Sequence, residues 1–151
     1  DLDLILHFVK SSVKHVDAVG VSVLSDKVDI ANARLTFTNG CVANVTASRV
    51  TAKTMQKIRF FETNGYHSAD CAARKVQSLQ KKTHPDGRIE IAEVPLNIPS
   101  HDPLEAEVRS FVQAIQTGSP PPVTGREGRQ SLEVALKIVD RIQEARRASG
   151  G

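Results

Sequence analysis

Ala31-Asn32-Ala33-Arg34-Leu35-Thr36-Phe37-Thr38-Asn39-Gly40-Cys41-Val42-Ala43-Asn44-Val45-Thr46-Ala47-Ser48 is the part of the chain with the plainest pattern. Ala31, Ala33, Leu35 and Phe37 recur at period two, the spacing of one face of a strand. Asn39-Gly40 follows, and both residue types tolerate the positive φ of a type I′ hairpin turn. The return strand runs from Cys41 to Val50. Its side chains are small on both faces: Ala43, Val45 and Ala47 on one, Asn44, Thr46 and Ser48 on the other. A strand with one face in water usually carries longer charged side chains there. Small, semi-polar ones suit a sheet covered on both faces.

Upstream of this hairpin, Leu2, Ile5, Leu6 and Val9 fall at helical spacing, so residues 1–11 are predicted to be a helix. Val19, Val21 and Val23 alternate with Gly20, Ser22 and Leu24, a strand beginning near Val13, and Ser25-Asp26 marks a turn. Downstream, Ile58 to Phe61 continues as a strand to Asn64-Gly65. Tyr66 to Leu79 reads as two short strands around Ala72-Ala73-Arg74. Asp86-Gly87 turns into Arg88 to Val94. Three Asn-Gly or Asp-Gly turns argue for an antiparallel meander.

The period then changes. Leu104, Val108, Phe111, Val112 and Ile115 define an amphipathic helix, opened by Asp102-Pro103-Leu104-Glu105 as a capping box and stopped by Gly118. Ser119-Pro120-Pro121-Pro122 cannot be helical. Thr124-Gly125-Arg126-Glu127 is a second capping box. Leu132, Ala135, Leu136, Val139 and Ile142 are expected to face one way on the last helix, and the tail from Ala148 to fray. The sum is an α+β domain: a mostly antiparallel open sheet with helices on one face. The other face, with its small side chains, is expected to pack sheet to sheet on a second copy, by default with two-fold symmetry.

Composition narrows the function. The chain has 151 residues, 40% hydrophobic and 25% charged, ordinary values for a globular domain. No apolar run approaches the ~18 residues of a membrane helix, and the start lacks the features of a secretory signal, so a cytoplasmic protein without membrane contact is expected. Cys41 and Cys71 are then free thiols. The net charge is +3, but the basic residues form no stripe. Five Phe, one Tyr and no Trp are too few for a base-stacking platform, so nucleic acid is not an expected partner. The histidines (His7, His15, His67, His84, His101) show no HxxxH or HExxH spacing, so no metal site is expected. His7 lies one turn after Asp3 and can share its helix face. Gly125-x-x-Gly128 follows no strand and lacks the spacing of a phosphate loop. Arg49, at the end of the second hairpin strand, can clamp a carboxylate, a phosphate or a sugar hydroxyl, or simply sit in solvent. Asn44-Val45-Thr46 fits a glycosylation acceptor, but in mid-strand it is dismissed.

Several segments, in order, resemble the Gfo/Idh/MocA oxidoreductases (glucose–fructose oxidoreductase, inositol dehydrogenase and relatives). Asp1-Leu2-Asp3-Leu4 looks like the continuation of the segment D-x-x-x-H-x-x-D-L. In that register Asp3 is its last Asp, and the catalytic His is the residue before Asp1. Ala33 to Gly40 with Ala47-Ser48-Arg49, Phe61 to Ser68, and Pro122 to Gly128 followed by Leu132-Glu133-Val134-Ala135-Leu136 are similar to later parts of the family pattern.

The resemblance implies that residues 1–151 are the C-terminal substrate and oligomerisation domain of a larger enzyme, with a dihydrodipicolinate-reductase-like open sheet. A Rossmann domain, absent from this chain, would bind NAD or NADP and supply a catalytic Lys from a Glu-Lys-Pro segment. Hydride would pass between nicotinamide and a sugar or cyclitol carbon. On this basis the chain itself holds no catalytic residue, cofactor or metal and is not expected to be active alone. Asp3 and Arg49 carry over as substrate-binding residues at the pocket edge. The run Ser25 to Asn32 looks closest to members acting on nucleotide-linked amino sugars. The expected partners are a second copy, through the open sheet face, and the parent's Rossmann domain. The alternative is a non-catalytic self-association or partner-binding module. A weaker third, an RNA-binding domain, predicts salt-sensitive binding to nucleic acid.

Overall fold

The hairpin forms between strands β2 (Ile30–Phe37) and β3 (Val42–Ser48), but its turn differs from the expected one. The Phe37 N–H donates to Cys41 O at 2.9 Å, which leaves a three-residue loop, Thr38-Asn39-Gly40. Only Gly40 has positive φ, 86°. A type I′ turn needs positive φ at two residues. A three-residue loop needs it at one, and glycine takes it without strain. The Asn39 side chain accepts from the Cys41 N–H at 3.1 Å, so the Asn is used for its oxygen.

The computed structural model describes residues 1–52, 54–98 and 102–148; His101 and the Ser149–Gly151 tail fall outside them. The element order is α1 (Leu2–Val9), β1 (Val13–Val21), β2, β3, β4 (Lys57–Glu62), β5 (Gly65–Asp70), β6 (Lys75–Thr83), β7 (Ile89–Glu93), α2 (Pro103–Thr117) and α3 (Gly125–Ala148). The chain divides into two units, Asp1–Ala52 with Ser110–Gly151, and Lys53–Arg109. The α+β class and the antiparallel pairing hold. The strands fall into two hydrogen-bonded sheets, β1-β2-β3 in the first unit and β4-β5-β6-β7 in the second, each a meander.

In the first unit the core is the helix-covered face of β1-β2-β3. Val16 pairs with Leu35, Ala18 with Ala33, Ala33 with Val45 and Leu35 with Ala43, so these share one face. Leu35 and Phe37 are 0% and 1% exposed. Over that face lie Val134, Ile138 and Ile142 of α3, all buried, and α1 contributes Ile5. Gly20 permits the contact. A Cβ there would meet Ile142 Cγ2 at 2.6 Å and Val28 Cγ1 at 2.8 Å.

The last helix turns a different stripe inward from the one expected. Leu132, Leu136 and Val139 are exposed; of the predicted stripe only Ile142 is in the core, with Ala135 half-buried. Val134, Ile138 and Ile142 fall at i, i+4, i+8 and form the inner stripe instead. The caps are as expected in position. Glu127 Oε2 accepts from the Thr124 N–H and hydroxyl, both at 2.7 Å, and Thr124 Oγ1 accepts from the Glu127 N–H at 3.3 Å, a complete capping box. Asp102 Oδ1 accepts from the N–H groups of Leu104 and Glu105, while the Glu105 carboxylate turns to Arg109 at 2.6 Å.

In the second unit, Gly65 serves space rather than φ. A Cβ there would meet Glu62 Oε1 at 2.8 Å and His67 Nε2 at 3.1 Å. Gly87 (φ 83°) repeats the Gly40 pattern, with the His84 N–H donating to Arg88 O at 2.9 Å. Cys41 and Cys71 are exposed free thiols, as expected. No described helix is long and apolar enough to cross a membrane.

Candidate functional site

Arg49 follows β3 and stands at the end of the sheet where β1 gives way to β2. Strand β1 ends at Val21, two residues earlier than the Val19, Val21, Val23 alternation suggests, because the backbone beyond it curls around Asp29. The Asp29 N–H donates to Val21 O at 2.9 Å, and Asp29 O accepts from the Arg49 N–H at 3.1 Å. Asp29 Oδ2 then accepts from three successive N–H groups, Val23 at 2.7 Å, Leu24 at 2.8 Å and Ser25 at 3.3 Å. Its Oδ1 takes the Arg49 Nε–H at 2.5 Å, and Arg49 Nη2 donates to Ser25 Oγ at 2.9 Å.

Asp29 is 4% exposed, yet it is held as a carboxylate. The Val23 and Leu24 N–H groups lower its pKa well below the usual carboxylate range, with Arg49 and Ser25 adding to them; desolvation opposes and loses. Arg49 is therefore first a structural clamp on the 22–29 loop. Its side chain is still 53% exposed. A cleft of about 460 Å³ opens there, lined by Leu24, Ser25, Asp26, Lys27, Asp29 and Arg49. At the start of the same loop, Ser22 Oγ is buried with no hydrogen-bond partner among the described residues.

Asp3 sits in the first turn of α1, and its Oδ1 accepts from Ser131 Oγ of α3 at 3.3 Å. His7, one turn on, contributes to holding Glu127 below the usual glutamate range, after the Thr124 N–H and hydroxyl. Asp3 and Arg49 are not brought together. Asp3 is tied to Ser131, whereas the Arg49 end of the sheet meets α3 at Ile142, beside Gly20. Eleven residues of helix separate Ser131 from Ile142, about 16 Å of rise.

The face of the first sheet away from the core carries cross-strand rows: Asp17–Arg34–Asn44, Val19–Asn32–Thr46 and Val21–Ile30–Ser48. Arg34 Nη1 donates to Asn44 Oδ1 at 3.3 Å, and Thr46 Oγ1 to Asn32 Oδ1 at 2.8 Å. A shallow depression of about 310 Å³ lies over the first two rows. In the second unit, His67 bridges three strands, with Nε2 2.9 Å from Glu62 Oε1 and Nδ1 2.9 Å from Ser78 Oγ. A carboxylate only accepts, so Nε2–H donates to Glu62, while Nδ1 and the Ser78 hydroxyl share the second bond. Sequence patterns missed both Asp29 and this bridge. Asp29 carries a local signal, an Asp just before a strand and four residues after a Ser of the same turn. The His67 partners lie on separate strands and become visible only once register is known.

Comparison with known proteins places this architecture. UDP-N-acetylglucosamine 3-dehydrogenase of Acidithiobacillus ferrooxidans is 34% identical to the chain over 140 residues, which cover 91% of the chain and 44% of the relative. A solved structure of that enzyme superposes with a TM-score of 0.83 at 32% identity, over 95% of this chain and 45% of that one. The chain is similar to Gfo/Idh/MocA-type oxidoreductases. It matches the C-terminal part of those proteins and spans less than half their length. Two more distant structures share the fold. One is an aldose-aldose oxidoreductase from Caulobacter crescentus complexed with glycerol (TM-score 0.76, 22% identity, 96% of this chain and 43% of that one). The other is a levoglucosan dehydrogenase in complex with NADH and L-sorbose (TM-score 0.71, 19% identity, 85% and 42%). No protein-family model matches the chain.

Proposed function

We propose that residues 1–151 are the C-terminal substrate and oligomerisation domain of an NAD(P)-dependent sugar, cyclitol or nucleotide-sugar dehydrogenase acting in the cytoplasm. The observation that carries this reading is the 34% identity to a UDP-N-acetylglucosamine 3-dehydrogenase across 91% of the chain. It favours a nucleotide-linked amino sugar as the substrate class. The nicotinamide group, bound by an N-terminal Rossmann domain of the intact protein, supplies the hydride chemistry. The described residues do not fit a dinucleotide themselves: Gly125 and Gly128 open α3 behind a Pro-rich connector, not behind a strand.

The chain's own contribution is positioning. Asp3, oriented by Ser131, offers a carboxylate oxygen to a sugar hydroxyl at the pocket edge. Arg49, held by Asp29, offers the outer edge of its guanidinium to a hydroxyl or phosphate. Their separation suits an extended ligand better than one small ring. The outer sheet face serves self-association. Val19, Val21 and Ile30 give it an apolar patch, and Asp17 beside Arg34 gives it both signs of charge, so a two-fold axis can set each against its opposite.

The test has two arms. Incubated with NAD+ or NADP+ and UDP-N-acetylglucosamine, the chain alone is expected to produce no NADH or NADPH. Robust turnover would sink the domain assignment. Light scattering across a dilution series is expected to return a dimer or larger, and a monomer at every concentration would remove the oligomerisation role.

A further inference from the structure

Helix α3 carries two apolar stripes, and the first unit uses one of them. Val134, Ile138 and Ile142 are buried on the sheet side. Leu132, Leu136 and Val139 repeat at i, i+4, i+7 and are 47–58% exposed. At 3.6 residues per turn the centres of the two stripes lie roughly 125° apart around the helix. A helix that only covers a sheet needs one stripe; two mark a helix held between two layers. The stripe of α2, Leu104, Val108, Phe111, Val112 and Ile115, is itself 43–68% exposed.

We infer that the Leu132–Leu136–Val139 stripe is the seat of the N-terminal part of the intact protein. The inference rests on the domain assignment proposed above. Three observations select this occupant. The relative has more than half its length outside the match, so a layer of sufficient size is at hand. Asp3 is bonded to Ser131, so chain arriving at Asp1 reaches this unit beside Leu132, at one end of the stripe. Another open surface, the outer sheet face, carries both signs of charge beside its apolar residues, which suits a second copy. The α3 stripe is purely aliphatic, as expected of a surface covered permanently.

Thiol labelling tests this. Cys41 and Cys71, both exposed, are first replaced by Ser, and single cysteines are introduced as Leu136→Cys, Val139→Cys, Glu133→Cys and Ile138→Cys. Each is examined in the chain alone and in a two-domain protein. The latter joins the N-terminal part of the A. ferrooxidans enzyme ahead of Asp1. Leu136→Cys and Val139→Cys are expected to label rapidly in the chain alone and about tenfold or more slowly in the two-domain protein. Glu133→Cys should label equally in both, and Ile138→Cys in neither, which shows that the unit is folded. Equal labelling of Leu136→Cys in the two proteins would overturn the inference. So would labelling that is already slow in the chain alone and speeds up on dilution, since a second copy would then be the occupant. Dehydrogenase activity of the two-domain protein reports on the domain assignment separately. Activity with an unprotected stripe keeps the assignment and rejects the docking surface; protection without activity does the reverse.

Discussion

Asp29 is a carboxylate folded into the protein and kept charged by three backbone N–H groups and Arg49. Its folded pKa is depressed, so its contribution to stability is complete above the unfolded value of 3.8 and is lost as pH falls through the lower folded value. Asp29→Ala is therefore expected to lower the urea midpoint of unfolding at neutral pH, with the gap to wild type narrowing steadily as pH falls below about 3.8. A gap already closing at pH 5 would mean that another group is titrating. Ser22 is the counterpart in the same loop, a buried hydroxyl with no partner among the described residues. Removing it leaves nothing unpaired, so Ser22→Ala is expected to stabilise by about 1 kcal/mol in the same measurement. The sequence exposed Arg49 as a candidate because an Arg closing a strand of small residues stands out. It showed less of Asp29, whose local signal, a Ser four residues before an Asp that precedes a strand, does not reveal that three N–H groups converge on the carboxylate.

At the scale of elements, α3 shows what periodicity can and cannot decide. Its apolar residues occupy two stripes, and spacing alone does not say which one meets the sheet. Gly20 decides it, because only a strand position without a Cβ admits Ile142 so closely. In the chain alone, Ile138→Ala is expected to cost about 2–4 kcal/mol in urea unfolding, while Leu136→Ala should stay within about 0.5 kcal/mol. Equal costs would mean that the outer stripe is packed in solution. The hairpin strands and both helix caps were legible because each rests on neighbours in sequence: period-two alternation, Gly at a tight loop, Thr with Glu three residues on. Where the sheet breaks was not legible. Alternation in Ile58 to Phe61 identifies a strand but not its ladder partner, so one sheet and two look alike from sequence.

For the whole molecule, the outer face of the first sheet makes a prediction that charge alone can test. On the proposed two-fold packing, Asp17 and Arg34 each face the opposite sign across the axis. Reversing one of them, as Asp17→Arg or Arg34→Asp, places like charges together in a desolvated contact, where juxtaposition costs several kcal/mol. Either single reversal is therefore expected to shift the light-scattering midpoint for dissociation to at least about a hundredfold higher protein concentration, since each 1.4 kcal/mol is tenfold. The double reversal restores complementarity and should recover most of the association. Both residues lie on the face away from the core, so the unfolding midpoint of the separated chain should hardly move, which separates a lost contact from a lost fold. If the double reversal associates no better than the singles, the two charges do not meet across the axis. Self-association would then have to run through another surface than the outer face of β1-β2-β3.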